Sequence, residues 1–225
     1  MMLTIAGGEP PDLPAAEGRR AAILEATLRV IAAGGADDVT HRRVAAEAGV
    51  PLGSTTYYFA SRDDLVRDAF RHYVGKVFAF LSAIEREFHR LGADEVVAFL
   101  VEVARREFAD RGTVLVEYEL IVRAARDPVL ARDFNDYARA LESGLAERLE
   151  RLGATQPFEA ARTLIALVRG FEIHGLTHAD VDADDLRRRL RAVIGALLPA
   201  TPVAVRSRRR RGAATSAPRS RKENR

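Results

Sequence analysis

Apolar residues recur at spacings of three and four along most of this chain, which is the period of an amphipathic α-helix. The longest such stretch runs from residue 62 to about residue 90, and its apolar face consists of Val66, Phe70, Tyr73, Val77, Leu81, Ile84 and Phe88. Further helices are predicted at roughly 94–110, 113–126, 128–152, 156–178 and 184–198. The pattern predicts an all-α protein.

A different pattern begins at Thr40, which precedes an apolar run as a helix N-cap does. Three apolar residues then recur at helical spacing: Val44, Ala45 and Ala48. Gly49 follows, where a left-handed residue would end the helix. Pro51 suits the first position of a second helix, because the N–H that it lacks is not needed there. We predict two short helices joined by a tight turn at Gly49.

The second of these helices carries small polar and tyrosine side chains where a core helix would carry leucine. Gly53, Ser54, Thr55 and Thr56 are poor helix formers, which a helix tolerates when its surface must approach another molecule closely. Such a helix suits the DNA major groove. The alternative is a helical hairpin with its tyrosines in the core, but the run Thr-Thr-Tyr-Tyr-Phe is too wide for one buried stripe. Ser61 and Asp64 match a capping box that starts the next helix.

The predicted contacts to DNA come from the starts of these helices and from the second helix. Hydroxyls of Tyr57 and Tyr58 can donate to phosphates while their rings pack on sugars or thymine methyl groups. Helix starts suit phosphate because their N–H groups are free and positive side chains lie nearby. The full predicted set is Thr40, His41, Arg42, Leu52, Gly53, Ser54, Thr56, Tyr57, Tyr58 and Arg62.

From Arg20 to Leu65 the order of these features resembles the N-terminal three-helix domain of the TetR family of transcriptional regulators. Packing positions of its first helix are matched by Ile23, Leu24, Ala26, Val30 and Ile31, and the run from Thr56 to Phe59 is similar to the family's Tyr-Tyr-His-Phe signature. The chain differs from the residues that are common in the family at four positions, Pro51, Leu52, Thr56 and Tyr58. These differences affect which operator sequence is bound. The resemblance implies a dimeric regulator, in most of the family a repressor.

Residues 156–178 are apolar on more than one face, and the last helix places apolar residues opposite a run of arginines. A helix that is apolar on two sides must bury both. The resemblance implies that the last two helices of two subunits form a four-helix bundle, and the alternative is a larger core in one chain. The predicted dimer contacts are Leu164, Val168, Phe171, Leu186, Leu190, Val193 and Leu197.

The resemblance also implies a small-molecule cavity between the middle helices. The candidate lining residues are Phe78, Leu81, Phe99, Phe108, Glu117, Tyr118, Ile121, Phe134, Tyr137, Phe171 and His174. Glu117 or Glu119 would favour a cation, and Asn135 is a further polar group that could orient a ligand. The alternatives stay open at this point, because aromatic residues at helical spacing also fill ordinary cores and acidic residues also occupy ordinary surfaces. The sequence does not identify the effector.

Composition supports a folded core, with 48% hydrophobic residues, and the lack of cysteine fits a reducing cytoplasm. Residues 1–16 have no signal-peptide pattern, and no apolar stretch is long enough to span a membrane. We predict four parts: a disordered arm at 1–16, a helix-turn-helix DNA-binding domain at 17–62, a larger helical ligand-binding and dimerisation domain at 63–200, and a disordered basic tail at 201–225.

The net charge of +3 hides an uneven distribution, because the nine basic residues and one glutamate from Val203 to Arg225 contribute +8 and leave −5 for the rest. Residues 17–72 hold eight basic and eight acidic side chains. Any attraction to DNA must therefore come from local placement of charge. The tail either adds nonspecific attraction to phosphates or is a solvated segment without a role.

Catalytic and metal-binding patterns are weak. His174 and His178 lie four apart on a helix, a spacing that can bind zinc, and Asp180 and Asp182 follow just beyond. The sequence does not single out a third ligand, however, and it has no His-Glu-x-x-His pattern. We expect no cofactor, no metal and no enzymatic activity. The sequence favours a homodimeric regulator that binds a palindromic operator in double-stranded DNA and is released by a small molecule. The alternative is a small-molecule sensor or interaction protein with only nonspecific DNA binding.

Overall fold

A computed structural model describes residues 15–88, 92–178 and 182–199. Within these ranges the chain folds into nine α-helices and a short 3-10 turn at Ala36–Asp38. The helices are α1 Ala15–Gly34, α2 His41–Ala48, α3 Leu52–Tyr58, α4 Arg62–Glu85, α5 Ala93–Phe108, α6 Arg111–Ala124, α7 Pro128–Arg151, α8 Pro157–Thr177 and α9 Ala183–Leu197. The all-α prediction is confirmed.

Capping residues set the ends of the short helices as predicted. The Thr40 hydroxyl accepts a hydrogen bond from the Arg43 amide at 3.1 Å, and Gly49 ends α2 in the left-handed conformation with φ of 65°. The Ser61 hydroxyl accepts from the Asp64 amide at 3.1 Å. The prediction for Pro51 was off by one position, because Pro51 takes an extended conformation before α3 and Leu52 is the first helical residue.

One hydrophobic cluster joins the first four helices to α6 and α7. Ile23, Ile31 and Leu65 are fully buried in it, as are Val116 and Leu120 of α6. The core therefore continues across the domain boundary that the sequence predicted at residue 62. Part of the predicted disordered arm is helical, because α1 begins at Ala15. The rest of the arm at 1–14 and the tail at 201–225 lie outside the described residues.

A second cluster fills the space between α5, α7, α8 and α9. Four of the residues predicted to contact a second subunit belong to it and are buried within one chain: Leu164, Val168, Leu186 and Leu190. A side chain that its own chain covers has no area left to bury against a partner. The prediction for these four is corrected, and only Phe171, Val193 and Leu197 keep a partly exposed side chain.

Ion pairs fix α4 to the helices on either side of it. Asp127 caps α7 and accepts two hydrogen bonds from the Arg67 guanidinium of α4, at 3.1 and 3.2 Å. Glu25 of α1 accepts from Lys76 of α4 at 2.7 Å and lies 2.8 Å from a ring nitrogen of His72. Burial raises the pKa of Glu25, but these two partners outweigh it and lower the pKa to about 2.

No helix among the described residues combines the length and apolar character that a membrane crossing demands.

Candidate DNA-binding surface and ligand cavity

Helix α3 divides into a covered face and an open face. Thr55 is fully buried and Phe59, just after the helix, is almost so. The open face consists of Leu52, Gly53, Thr56 and Tyr57, with Tyr57 83% exposed. This is the outward surface that the sequence predicted. Ser54 and Tyr58 lie at its edges and are half-buried.

The two tyrosines have different surroundings. Their rings meet edge to face with centroids 5.1 Å apart, but Tyr58 also packs against the core while Tyr57 projects from the helix. Tyr57 therefore contributes little to the packing of the fold. Such an exposed aromatic ring with a hydroxyl is suited to a contact on the DNA backbone.

Glycine at position 53 has no role in the packing of the protein itself. A Cβ added there would meet no atom within 4 Å, and its φ lies outside the left-handed region. Glycine costs a helix about 1 kcal/mol relative to alanine. The fold would therefore be better served by alanine, and the open space above Gly53 is available to another molecule.

Sequence reasoning missed the role of Thr55, which holds α3 against α2. Its hydroxyl donates to the Leu52 carbonyl at 2.8 Å and lies 3.5 Å from the carbonyl oxygen of His41. In the sequence Thr55 belongs to a run of small polar residues that have no distinguishing feature. Only the helical register, which puts it four residues before Phe59 on the buried side, could have separated it.

The predicted residues at the helix starts differ in how free they are. Thr40 and Arg42 are exposed, and His41 is half-buried. Arg62 is also half-buried, but it is bound to its own chain: its guanidinium donates to the Ala36 carbonyl at 2.9 Å and to the exposed Asp37 at 3.0 Å. The Arg62 hydrogen bonds and charge lower the pKa of Asp37. The structure therefore places Arg62 as a brace for the 3-10 turn, and its contact with DNA stays a prediction.

A cavity of about 220 Å³ lies between α4, α5, α6, α7 and α8. Its walls include five of the predicted lining residues: Phe78, Leu81, Phe99, Glu117 and Tyr137. Most of the wall is apolar. The predicted cavity is therefore present in the described chain, at the place where the middle helices meet.

The remaining predicted lining residues lie elsewhere. Phe108 and Phe171 meet edge to face, with centroids 5.8 Å apart, on a separate cleft beside α9. Phe134 packs against the first core cluster. His174 is exposed, and its ring centroid lies 3.9 Å from that of His178. Neither Tyr118 nor Ile121 lies on the cavity wall. Helical spacing identified apolar faces correctly, but it did not indicate which neighbour each face meets.

Hydrogen bonds connect the polar groups of the cavity wall to two tyrosines that do not line it, Tyr73 and Tyr118. Glu117 of α6 accepts from the Tyr73 hydroxyl at 2.9 Å and from the Arg169 guanidinium at 3.3 Å. The Tyr118 hydroxyl lies 3.1 Å from Glu172 Oε2 and 3.0 Å from the Arg169 carbonyl oxygen. Burial, and then the charge of Glu117, raise the pKa of Tyr73, so its hydroxyl stays protonated and remains a donor.

Glu107, Arg169 and Glu172 were not among the predicted lining residues, although all three line the cavity. Their helices carry other charged residues that do not line the cavity, so composition alone did not distinguish these three. For Glu172, the sequence contained one usable signal, which is the position of this residue along its helix. Glu172 follows Leu164 and Val168 at intervals of four, which places it on the buried face of α8.

Helix α6 contacts the cavity on one side and the DNA-binding helices on the other. Glu119, two residues after Glu117, accepts from the Ala36 amide at 3.4 Å. Gly35 permits this approach, because a Cβ there would lie 2.9 Å from the Glu119 carboxylate and its φ of 83° favours glycine. Arg123 donates to Asp63 at the start of α4 at 2.8 Å. A displacement of α6 would therefore reach the helix-turn-helix directly.

Comparison with known proteins agrees with this architecture. Residues 23–69 match the family model described as bacterial regulatory proteins, tetR family, and residues 91–200 match the tetracyclin repressor-like C-terminal domain. The HTH-type transcriptional regulator BetI of Brucella suis is 27% identical over 164 residues, which span 72% of this chain and 82% of BetI.

Two solved structures carry the comparison further. A TetR family member from Streptomyces coelicolor A3 is 32% identical, with a TM-score of 0.62 over 83% of this chain and 99% of that one. The multidrug binding protein EbrR, complexed with ethidium, is 35% identical, with a TM-score of 0.63 over 80% of this chain and 99% of EbrR. Together with the helix-turn-helix and the cavity, these matches show that the chain belongs to the TetR family of DNA-binding transcriptional regulators, which are not enzymes.

Proposed function

We propose that a homodimer of this chain binds a palindromic operator in double-stranded DNA, represses transcription in the cytoplasm, and is released by a small molecule in the cavity. The observation that carries the proposal is the open face of α3, formed by Leu52, Gly53, Thr56 and Tyr57. The fold does not use these side chains, and Gly53 weakens the helix that contains it. Close approach of α3 to base edges in the major groove explains both facts.

A second copy of the chain is proposed to pack on the outer faces of α8 and α9. Small or apolar residues are exposed there: Ala166, Gly170 and Ile173 on α8, and Ala192, Gly195 and Ala196 on α9. Small residues let helices approach closely, and a twofold axis would present two α3 helices about 34–36 Å apart, one turn of DNA. We expect Ile173→Lys to shift sedimentation from dimer to monomer, and an unchanged dimer would contradict this placement.

Release is proposed to work through α6 and α4, because both helices line the cavity and both contact the DNA-binding helices. A ligand against Glu117, which holds the Tyr73 hydroxyl of α4, would move α6 relative to α4. Glu119 and Arg123 would pass that movement to the Ala36–Asp38 turn and to Asp63. The ligand lowers DNA affinity only as far as it binds the released shape more tightly than the DNA-bound shape.

The test uses two Gly→Ala variants with the same helix chemistry. Gly53 and Gly75 both lie in helices, and an added Cβ meets no atom within 4 Å at either. Both variants should keep or raise thermal stability, by up to about 1 kcal/mol. Only Gly53→Ala should weaken operator binding in a mobility shift, by about tenfold or more, because only α3 enters the groove.

Tyr57→Ala complements this test by removing a side chain instead of adding one. Operator affinity should fall by about tenfold, while melting and sedimentation stay as in the wild type, because Tyr57 is exposed. If Gly53→Ala and Tyr57→Ala both bind the operator as tightly as the wild type, α3 is not the recognition helix.

One observation favours the alternative of a sensor with only nonspecific DNA binding. Three arginines of the first four helices, Arg20, Arg43 and Arg62, form ion pairs with aspartates at 2.5, 2.6 and 3.0 Å, so their charge is already neutralised within the chain. Competition with random-sequence DNA separates the two functions. A specific regulator keeps its operator at a large excess of competitor, whereas equal displacement by both DNAs would support the alternative.

A further inference from the structure

Helix α3 lacks every side chain that makes paired hydrogen bonds to a base. Such bonds come from arginine or lysine to guanine and from asparagine or glutamine to adenine, and an acidic side chain accepts from cytosine. None of these residue types occurs between Ala48 and Ser61, although 30% of the whole chain is charged. If α3 enters the major groove, it must distinguish bases by another kind of contact.

The hydroxyl groups of the two α3 threonines are already used within the helix. The buried Thr55 hydroxyl donates to the Leu52 carbonyl at 2.8 Å, and the exposed Thr56 hydroxyl donates to the Gly53 carbonyl at 3.2 Å. Each hydroxyl has one proton to donate. These two groups therefore cannot also donate to an acceptor on a base while the helix keeps its own hydrogen bonds.

The open face of α3 offers apolar carbon instead. Leu52 is 45% exposed at the first position of the helix, and Thr56 follows four residues later, so the two side chains are neighbours on one side of the helix. Gly53 beside them leaves open space, which permits a close approach. Among the four bases only thymine presents an apolar group in the major groove, which is its C5 methyl group.

We infer that Leu52 identifies a thymine in each operator half-site, because its exposed side chain packs against the C5 methyl group of that base. Thr56 lies beside Leu52 and extends the same surface. The inference rests on the proposed function, in which α3 enters the major groove. It adds which chemical group of the operator the helix recognises.

A contact between Leu52 and the DNA backbone would not explain this side chain. Phosphate oxygens accept hydrogen bonds, and the side chains that bind them are basic or polar. Leucine has no donor, so it would remove water from a phosphate without replacing any hydrogen bond. Arg42, which is exposed at the start of α2, suits the phosphates, since the first helix of a helix-turn-helix crosses the backbone.

The test begins with full-length protein and a pool of random-sequence DNA duplexes, from which the tightest binders are selected. The selected duplex is then made with deoxyuridine in place of one thymidine at a time, at matching positions of both half-sites. Uracil keeps the base pair and lacks only the methyl group. We expect one position at which this change weakens binding about 15-fold in a mobility shift, because each buried methyl group contributes about fourfold and the proposed dimer contacts two half-sites.

Leu52→Ala should remove this discrimination. It should bind the thymine and uracil duplexes with affinities within about twofold of each other, because the side chain no longer reaches the methyl group. Its affinity for the thymine duplex should fall about as far as uracil lowers that of the wild type, so the two changes together add no further loss. Leu52 is exposed, so thermal melting should stay as in the wild type.

Arg42→Ala is the matched control, a substitution on the same surface that is directed at phosphate. It should weaken binding to both duplexes by the same factor, because a phosphate contact carries no sequence information. The ratio of about 15 between the thymine and uracil duplexes should therefore be preserved in Arg42→Ala and lost in Leu52→Ala.

Three results would overturn the inference and leave operator binding intact. The wild type tolerates uracil at every selected thymine; Leu52→Ala keeps the full discrimination against uracil; or affinity falls with 7-deazaguanine in place of guanine and not with uracil, which would indicate a basic side chain outside α3 on guanine N7. Failure to select any sequence would instead contradict the proposed operator binding, and the inference would fall with it. The two failures are therefore distinguishable.

Discussion

The open face of α3 and the cavity in the second half of the chain are both candidate sites, but they differ in their relation to the fold. Residues on α3 such as Tyr57 and Gly53 can be substituted without loss of packing in the core. Cavity side chains such as Glu117 and Tyr137 also hold neighbouring helices together. The open face of α3 does not contribute to the packing of its domain, whereas the cavity residues are part of the core.

This difference explains why the two sites were not equally visible in the sequence. An exposed functional helix departs from the usual amphipathic pattern, so its small polar residues and tyrosines stand out. A residue that lines a cavity occupies an ordinary apolar position. In the sequence it therefore looks like any core residue. Whether it lines a cavity depends on how the other helices pack against it.

Phe59→Ala should lower stability more than any substitution on the open face of α3 or in the cavity. Phe59 is almost fully buried at the end of α3 and packs in the first core cluster. Its removal should lower the free energy of unfolding by about 3–5 kcal/mol, measured by urea denaturation at fixed protein concentration. Operator binding would be lost as a consequence of unfolding.

Tyr57→Ala is the matched control, an aromatic side chain two residues earlier on the same segment. It should change the free energy of unfolding by no more than about 0.5 kcal/mol. A loss from Tyr57→Ala comparable to that from Phe59→Ala would mean that the open face of α3 is a structural surface, and the contrast between the two sites would fail.

The helix boundaries could be predicted to within a few residues from spacing and capping, because both are local. Thr40, Gly49 and Ser61 determine helix ends through their own backbone and side-chain hydrogen bonds. The dimer contacts could not be predicted in the same way. Leu164 and Leu186 recur as a dimer face would, but the sequence does not say that α5 and α7 cover them.

Glu117→Ala should affect both stability and ligand binding, which distinguishes the cavity from α3. The Tyr73 hydroxyl and the Arg169 guanidinium would lose a buried acceptor. An unsatisfied buried donor costs about 1–3 kcal/mol, so urea denaturation should show a loss of that size. Glu117→Gln keeps an acceptor oxygen for Tyr73 and should recover part of it. If Glu117→Ala is as stable as the wild type, the cavity residues are not part of the core.

Glu107→Gln should change how stability depends on pH. The pKa of Glu107 in the folded protein is raised well above its usual 4.5, so above pH 4.5 the folded state holds a proton that the unfolded state has released. The free energy of unfolding of the wild type should therefore fall as pH rises toward that raised pKa, by up to about 1.4 kcal/mol per pH unit. Glu107→Gln should show a shallower slope above pH 4.5. Parallel slopes would exclude Glu107 as the titrating group.

The smallest expected effect separates two arginines at helix starts near the proposed DNA face. Arg42 is exposed and has no ion pair within the described residues, whereas Arg62 is bound to Ala36 and Asp37. Removal of one contact between a basic side chain and a phosphate reduces the slope of log K against log salt by about 0.9. We expect Arg42→Ala to reduce the slope of operator binding by about that amount and Arg62→Ala to leave it unchanged. A reduced slope for Arg62→Ala alone would show that Arg62 leaves Asp37 when DNA binds, because an arginine that stays paired with an aspartate does not neutralise a phosphate and release its counterions.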